Sequence, residues 1–178
     1  KMFSGGYFGG LCLFILKKAA EEGIFSEQAA DSLMKISELT SEQAGSFVED
    51  TGKNGNILYE CFTTREDILN AVSIIDNMIN RSARLVAASL AAVVLKTGKG
   101  SDPGKPILIT IEGTTFYKLF RLKERFEKYF KALLDGDRKR YVEFTEVKQS
   151  SLIGRSCRLN RLKYFRLSPL GETGKGVM

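Results

Sequence analysis

Three observations predict a helix-rich α/β fold for this chain. Two short strand-like segments, near 106–112 and 140–147, flank a helical segment at 121–134. Long stretches before them repeat apolar residues every three or four positions, the spacing of a helix with one face in a core. The first strand also runs directly into Glu112-Gly113-Thr114-Thr115, where a residue without Cβ lets backbone approach a ligand and two hydroxyls can hydrogen-bond it. Strand, Gly-hydroxyl turn and helix make a common way of holding a nucleotide at the carboxyl end of a strand.

Each element has its own signal. Gly5-Gly6 and Gly9-Gly10 predict a turn leading into a helix from about Tyr7 to Glu22, with Leu11, Phe14, Ile15 and Ala19 as its apolar stripe. Gly23 stops it, since glycine tolerates the left-handed dihedrals just past a helix end. Ser26 caps a short helix over 27–35, and Thr40 with Gln43 forms a capping-box pattern for 41–49. Asp50 to Asn56 has loop composition. Thr63 to Asp67 opens the longest helix, running to about Lys96, with Ile68, Val72, Ile75, Ile79, Val86, Leu90 and Val94 as its apolar series. From Ala83 on it is rich in alanine, which permits close packing against a sheet. The connector 97–105 ends at Pro106, and four of the five residues from Ile107 to Ile111 are apolar, as in a buried strand. Residues 140–147 alternate, and two strands joined through a helix predict parallel pairing.

Composition excludes several functions. With no histidine, neither a Ser-His triad nor a His-ligated metal site can be built within these residues. Cys12, Cys61 and Cys157 have no metal-ligand spacing and suit a reducing compartment, so a cytoplasmic location is expected. No unbroken apolar run approaches 18 residues, which predicts no transmembrane helix and no membrane partner. The net charge of +6 is concentrated at one end: residues 155–178 carry six cations against Glu172 alone. Residues 1–154 are then near neutral, and no nucleic-acid partner is expected of them. A rival in which the tail binds nucleic acid would show strongly salt-dependent binding that vanishes with the tail.

The flanks of the Gly113 turn carry a resemblance. Lys1-Met2-Phe3-Ser4-Gly5-Gly6-Tyr7-Phe8-Gly9-Gly10-Leu11 is similar to the Glu-Lys-Met-hydrophobic-Ser-Gly-x-Tyr-Leu-Gly block of the hexokinase family. Arg81-Ser82-Ala83-Arg84-Leu85-Val86-Ala87-Ala88 matches that family's Arg-x-Ala-rich helix, and Glu112-Gly113-Thr114 its acidic-Gly-hydroxyl turn at the adenosine of ATP. The blocks come in the family's order and cover residues 1 to about 154. The resemblance implies the C-terminal part of a hexokinase large domain, a partial ribonuclease-H-like fold shared with actin. It implies phosphoryl transfer from Mg-ATP to the 6-hydroxyl of a hexose such as glucose, with ATP and Mg²⁺ as cofactors.

Five residues are carried over as nucleotide-binding candidates: Gly113, Thr114, Gly5, Gly6 and Thr40. Each also has a purely structural reading. Gly113 and Thr114 could be a turn glycine and a strand-end hydroxyl that caps the next helix; Gly5 and Gly6 could serve helix initiation; Thr40 could be a plain N-cap. Lys118 is read as a solvated lysine. Glu112, Glu143 and Glu146 show no spacing that pairs them for acid–base work.

No residue is assigned a catalytic role. The family's Asp-x-Gly-Gly-Thr phosphate loop, its sugar loop, its general-base aspartate and its Gly-Thr-Gly loop are not found in this sequence. Such a kinase needs them, because the sugar hydroxyl must lose its proton to a carboxylate while amides and Mg²⁺ hold the γ-phosphate. The expectation is a chain that supplies the adenosine side, is inactive alone, and partners with an N-terminal half, ATP and hexose in the complete enzyme. A non-catalytic nucleotide-binding or regulatory module is the alternative. Bare strand edges predict a homodimer by edge pairing or helix exchange. Beyond Gly154 the family pattern is lost, and codons can be chosen such that dropping one base restores Gly-Ala-Ala-Val-Ala-Leu-Thr-Ala. Residues 155–178 are therefore expected to be a frame-shifted, non-native tail, with a natural basic extension as the alternative.

Overall fold

The computed structural model describes residues 4–50 and 55–146. In chain order the elements are α1 (Gly5–Glu21), α2 (Glu27–Lys35), α3 (Ser41–Glu49), α4 (Ile57–Cys61), α5 (Arg65–Thr97), β1 (Ile107–Ile111), α6 (Thr114–Lys118), α7 (Leu122–Leu133), a 3₁₀ turn at Gly136–Arg138 and β2 (Val142–Glu146). This is the mixed, helix-rich α/β arrangement predicted, with a parallel sheet of two strands. Ile107 lies beside Val142 and Ile111 beside Glu146. The division at residue 154 and the tail both fall outside the described residues.

Helix starts follow their caps closely. Ser26 accepts from the Ala29 N–H, and Thr40 forms the complete capping box with Gln43. Thr64 caps α5 by accepting from the Asp67 N–H at 3.1 Å, and its hydroxyl donates to the Asp67 carboxylate at 2.6 Å. The same carboxylate accepts from the Ser26 N–H at 2.8 Å and the Ser26 hydroxyl at 2.7 Å. Asp67 therefore ties the first turn of α5 to the start of α2, and it is buried there. Gly98 ends α5 at φ 67°, a left-handed position suited to glycine.

The core faces depart from two predicted stripes. In α1 the buried residues are Phe8, Gly9, Cys12, Leu13, Leu16 and Ala20, while Phe14 is exposed. The glycines also lie inside the helix and do not form a turn before it. Because α1 is apolar nearly all round from Phe8 to Leu16, periodicity does not choose a face; packing on α3 does. In α5 the buried line runs through Ala71, Ile75, Met78, Ile79, Ser82, Ala83, Ala87, Ala91 and Val94. Ile68, Val72, Val86 and Leu90 flank it and are partly buried. The small residues serve helix packing and not the sheet packing expected of them: α5 lies chiefly on α7, locked by Arg125, which donates to the Asp76 carbonyl at 3.0 Å and pairs with its carboxylate.

β1 is not the buried strand predicted. Ile107, Ile109 and Ile111 pack inward, whereas Leu108 and Thr110 are exposed. Among the described residues only one face of the sheet is covered. Phe144 of β2 meets Phe126 and Phe130 of α7 at ring-centroid distances of 5.6 and 5.3 Å. A second aromatic group, Phe25, Phe47 and Phe62, joins the loops around α2, α3 and α4.

By length and composition α5 would also serve as a membrane span, with a mean hydropathy of 1.4 in an 18-residue window. Polar residues such as Asn80, Arg81, Ser82 and Arg84 interrupt the apolar run, so no unbroken stretch forms. A helix at the centre of a core satisfies the same criterion, and α5 contacts α1, α3 and α7.

Candidate functional site

Three segments far apart in sequence meet at one surface: the first turn of α1, the first turn of α3 and the turn between β1 and α6. Ser41 makes the first junction. Its hydroxyl donates to the Gly5 carbonyl at 2.5 Å and accepts from the Gly9 N–H at 3.0 Å. That bond needs the two helices nearly in backbone contact. A Cβ on Gly9 would collide with Leu39 O, Thr40 C and Ser41 N, so only glycine permits the approach. Gly5 makes the second junction, since a Cβ there would collide with the Thr115 hydroxyl.

The predicted residues divide accordingly. Gly5 is half-buried between Ser41 and Thr115. Gly6 is exposed, with nothing within 4 Å of where its Cβ would be. Thr40 is exposed and engaged on both its hydroxyl and its N–H by Gln43, at 3.1 and 2.9 Å. Gly113 and Thr114 are exposed. Gly113 adopts φ 128°, a backbone state that side chains disfavour, and again nothing lies within 4 Å of its missing Cβ. It stands at the N-cap of α6, a helix of five residues where the sequence predicts only a turn. Thr114 caps nothing, and its hydroxyl makes no hydrogen bond among the described residues.

Gly5 and Thr115 place the α1 turn beside the turn that carries Gly113 and Thr114, and Thr40 adjoins through Ser41. The sequence gives Gly9 and Ser41 no part in the site and offers the Thr115 hydroxyl to a ligand, whereas in the structure that hydroxyl packs on Gly5. A signal for Gly9 existed: a glycine at i+4 from Gly5 within an apolar helix is costly unless backbone must come close. Ser41 carries no such mark, because a serine after an N-cap is ordinary.

The surface is an open wall. Neither of two clefts elsewhere, one at Lys99–Lys105 and one of about 360 Å³ lined by Ile111, Phe116, Tyr117, Lys123, Phe126 and Phe144 among others, includes a predicted residue. The electrostatics at α1 favour an anion: Ser4 makes no side-chain capping bond, no acidic residue lies in the first turn, and the helix is 17 residues long. For a metal the residues do not fit. No group of three potential metal-ligating side chains occurs among the described residues, and a divalent ion needs several oxygen ligands.

Comparison with known proteins decides the family, since the family model described as Hexokinase matches residues 1–156. The chain belongs to the hexokinase family. No curated protein matches it closely enough to serve as a relative. Every candidate residue, Gly5, Gly6, Thr40, Gly113 and Thr114, lies inside the hexokinase match, as do Gly9, Ser41 and Thr115. The family supports a sugar-kinase function, a phosphotransferase of glycolysis, and family members generally use ATP and Mg²⁺.

Proposed function

We propose that this chain supplies the adenosine-side wall of a hexokinase ATP site, within a ribonuclease-H-like large domain. The complete enzyme would transfer the γ-phosphoryl of Mg-ATP to the 6-hydroxyl of a hexose such as glucose. The observation that carries the proposal is the packing of Gly5 on Thr115. It sets a helix start without a side-chain cap beside an unengaged Thr114 hydroxyl, and those are residues the family resemblance assigns to nucleotide.

Each residue has a role on this reading. Gly6 and Gly113 leave room where a Cβ would stand between backbone and ligand. Thr114 hydrogen-bonds ribose or adenine, and Gly5 with Thr40 and Ser41 holds the α1 turn in place. ATP arrives with Mg²⁺ on its phosphates, and the residues of this chain do not ligate the ion. On this reading the general base and sugar loops come from the enzyme's N-terminal half, and the chain alone binds nucleotide without transferring phosphate. The enzyme works in the cytoplasm, consistent with the free, buried Cys12 and Cys61.

Isothermal titration of the chain with Mg-ATP tests this. Thr114→Val should weaken binding about fivefold, the cost of one hydrogen bond near 1 kcal/mol. Gly6→Val should weaken it further while leaving the circular dichroism unchanged. Unaltered affinity in both variants would refute the site. Adding a separately expressed N-terminal half should restore glucose phosphorylation; ATP binding with no restoration would favour the regulatory module.

A further inference from the structure

The charge balance of residues 1–154 hides a segregation that only the fold creates. Lys96, Lys99 and Lys105 lie at and after the end of α5, and Arg138, Lys139 and Arg140 lie just before β2, more than 30 residues later. The Tyr141 N–H donates to Gly100 O at 2.7 Å and the Ile107 N–H to Tyr141 O at 2.8 Å, closing the two loops on each other. Six cations are thereby gathered with three carboxylates, Asp102, Asp135 and Asp137. None of the six is in an ion pair among the described residues. Two of the carboxylates are committed locally: Asp102 accepts the Gly104 N–H and Asp135 the Gly136 N–H.

The first of these loops carries an open pocket of about 440 Å³ lined by Lys99, Gly100, Ser101, Asp102 and Lys105. In the second loop Arg140 donates through Nη1 to Lys139 O at 2.7 Å, while its Nε is shielded from water with no acceptor among the described residues. A buried guanidinium N–H without a partner calls for one. In the pocket the Lys99 and Lys105 ammoniums and the Ser101 hydroxyl are donors that a multi-oxygen anion satisfies, the Asp102 carboxylate being turned to the Gly104 N–H, and the paired loop adds the charge of Arg138, Lys139 and Arg140.

We propose that this loop pair is a binding site for a compact phosphate-bearing anion, separate from the nucleotide wall. It sits at the N-terminal ends of both parallel strands, whereas Gly113 follows the C-terminal end of β1. Free phosphate esters and lipid headgroups share this chemistry.

The test is an NMR titration of ¹⁵N-labelled full chain with inorganic pyrophosphate against sodium chloride of equal ionic strength. The amides of Gly98, Gly100 and Gly104 should shift saturably with pyrophosphate alone. The double variant Lys99→Ala/Lys105→Ala should weaken binding about tenfold, the order expected for losing two charge-assisted partners, and Lys128→Ala on α7 should not. Cosedimentation with phosphatidylglycerol-containing vesicles, lost in the double variant, would support the same site and assign a headgroup as its ligand. Shifts that track ionic strength alone, or equal losses in the double variant and Lys128→Ala, would overturn the proposal in favour of diffuse charge screening.

Discussion

Four glycines in one helix offer a sharp test of how α1 meets α3. Alanine in a helix interior is favoured over glycine by roughly 0.8–1 kcal/mol. At Gly6 and Gly10 nothing lies within 4 Å of the new methyl, so Gly6→Ala and Gly10→Ala should each stabilise the chain by about 0.5–1 kcal/mol. At Gly9 the methyl would meet three backbone atoms, with Ser41 N at 2.6 Å. Backbone cannot rotate aside as a side chain can, so the helices must separate. That costs about 1–3 kcal/mol of misfit. It also breaks the hydrogen bond from Gly9 N–H to Ser41, worth about 1 kcal/mol. After the propensity gain is subtracted, Gly9→Ala should destabilise by about 1–3 kcal/mol. Urea unfolding followed by circular dichroism measures all three, with m-values unchanged. A Gly9→Ala variant as stable as Gly10→Ala would refute the close crossing and, with it, the geometry that brings Thr40 and Ser41 to the α1 turn.

Other expectations follow from groups held out of water. Burial pushes the Asp67 carboxyl up, but hydrogen bonds from the Thr64 hydroxyl, the Ser26 N–H and the Ser26 hydroxyl outweigh it and hold the group below its ordinary value. A lowered folded pKa gives stability that is present above the unfolded value, about 3.9, and lost as pH falls through the folded one. Asp67→Asn should therefore lower Tm at pH 7 by the equivalent of about 2 kcal/mol, and the gap to wild type should narrow below about pH 4; a gap constant with pH would contradict the mechanism. Burial pushes the Cys12 thiol up to about 12. At pH 8 iodoacetamide should label Cys12 at least about tenfold more slowly in the folded chain than in urea, because the thiolate is the nucleophile. Equal rates by peptide mass mapping would show that α1 is not seated in the core.

What was legible in the sequence was mostly local chemistry. Ser26, Thr40 with Gln43, and Thr64 placed the starts of α2, α3 and α5 because an N-cap acts within one turn of its own residue. The isoleucine run gave β1, though not its open face, since apolar content cannot say how many layers will cover a strand. The five-residue helices α4 and α6 went unread because one turn and a half gives no period to detect. Gly5 and Gly6 were legible as candidates only through spacing that resembles a family, Gly113 and Thr114 also through the strand-turn-helix pattern, and the packing of Gly5 on Thr115 and of Ser41 on Gly5 and Gly9 was not legible at all.

By itself, then, the sequence determined the class of fold, the capped helices, the parallel strand pair and the family, all of which depend on short-range order and spacing. The tertiary structure alone decided which stripe of α1 and α5 faces inward. A helix apolar on several sides has no preferred face until a neighbour's shape selects one, as Ser41 does through Gly9 and α7 through the alanines of α5. It also decided that six cations distributed over 45 positions, from Lys96 to Arg140, stand at one end of the sheet. Charge counted along a chain is a sum, whereas the field a ligand meets depends on which distant loops the backbone hydrogen bonds bring together.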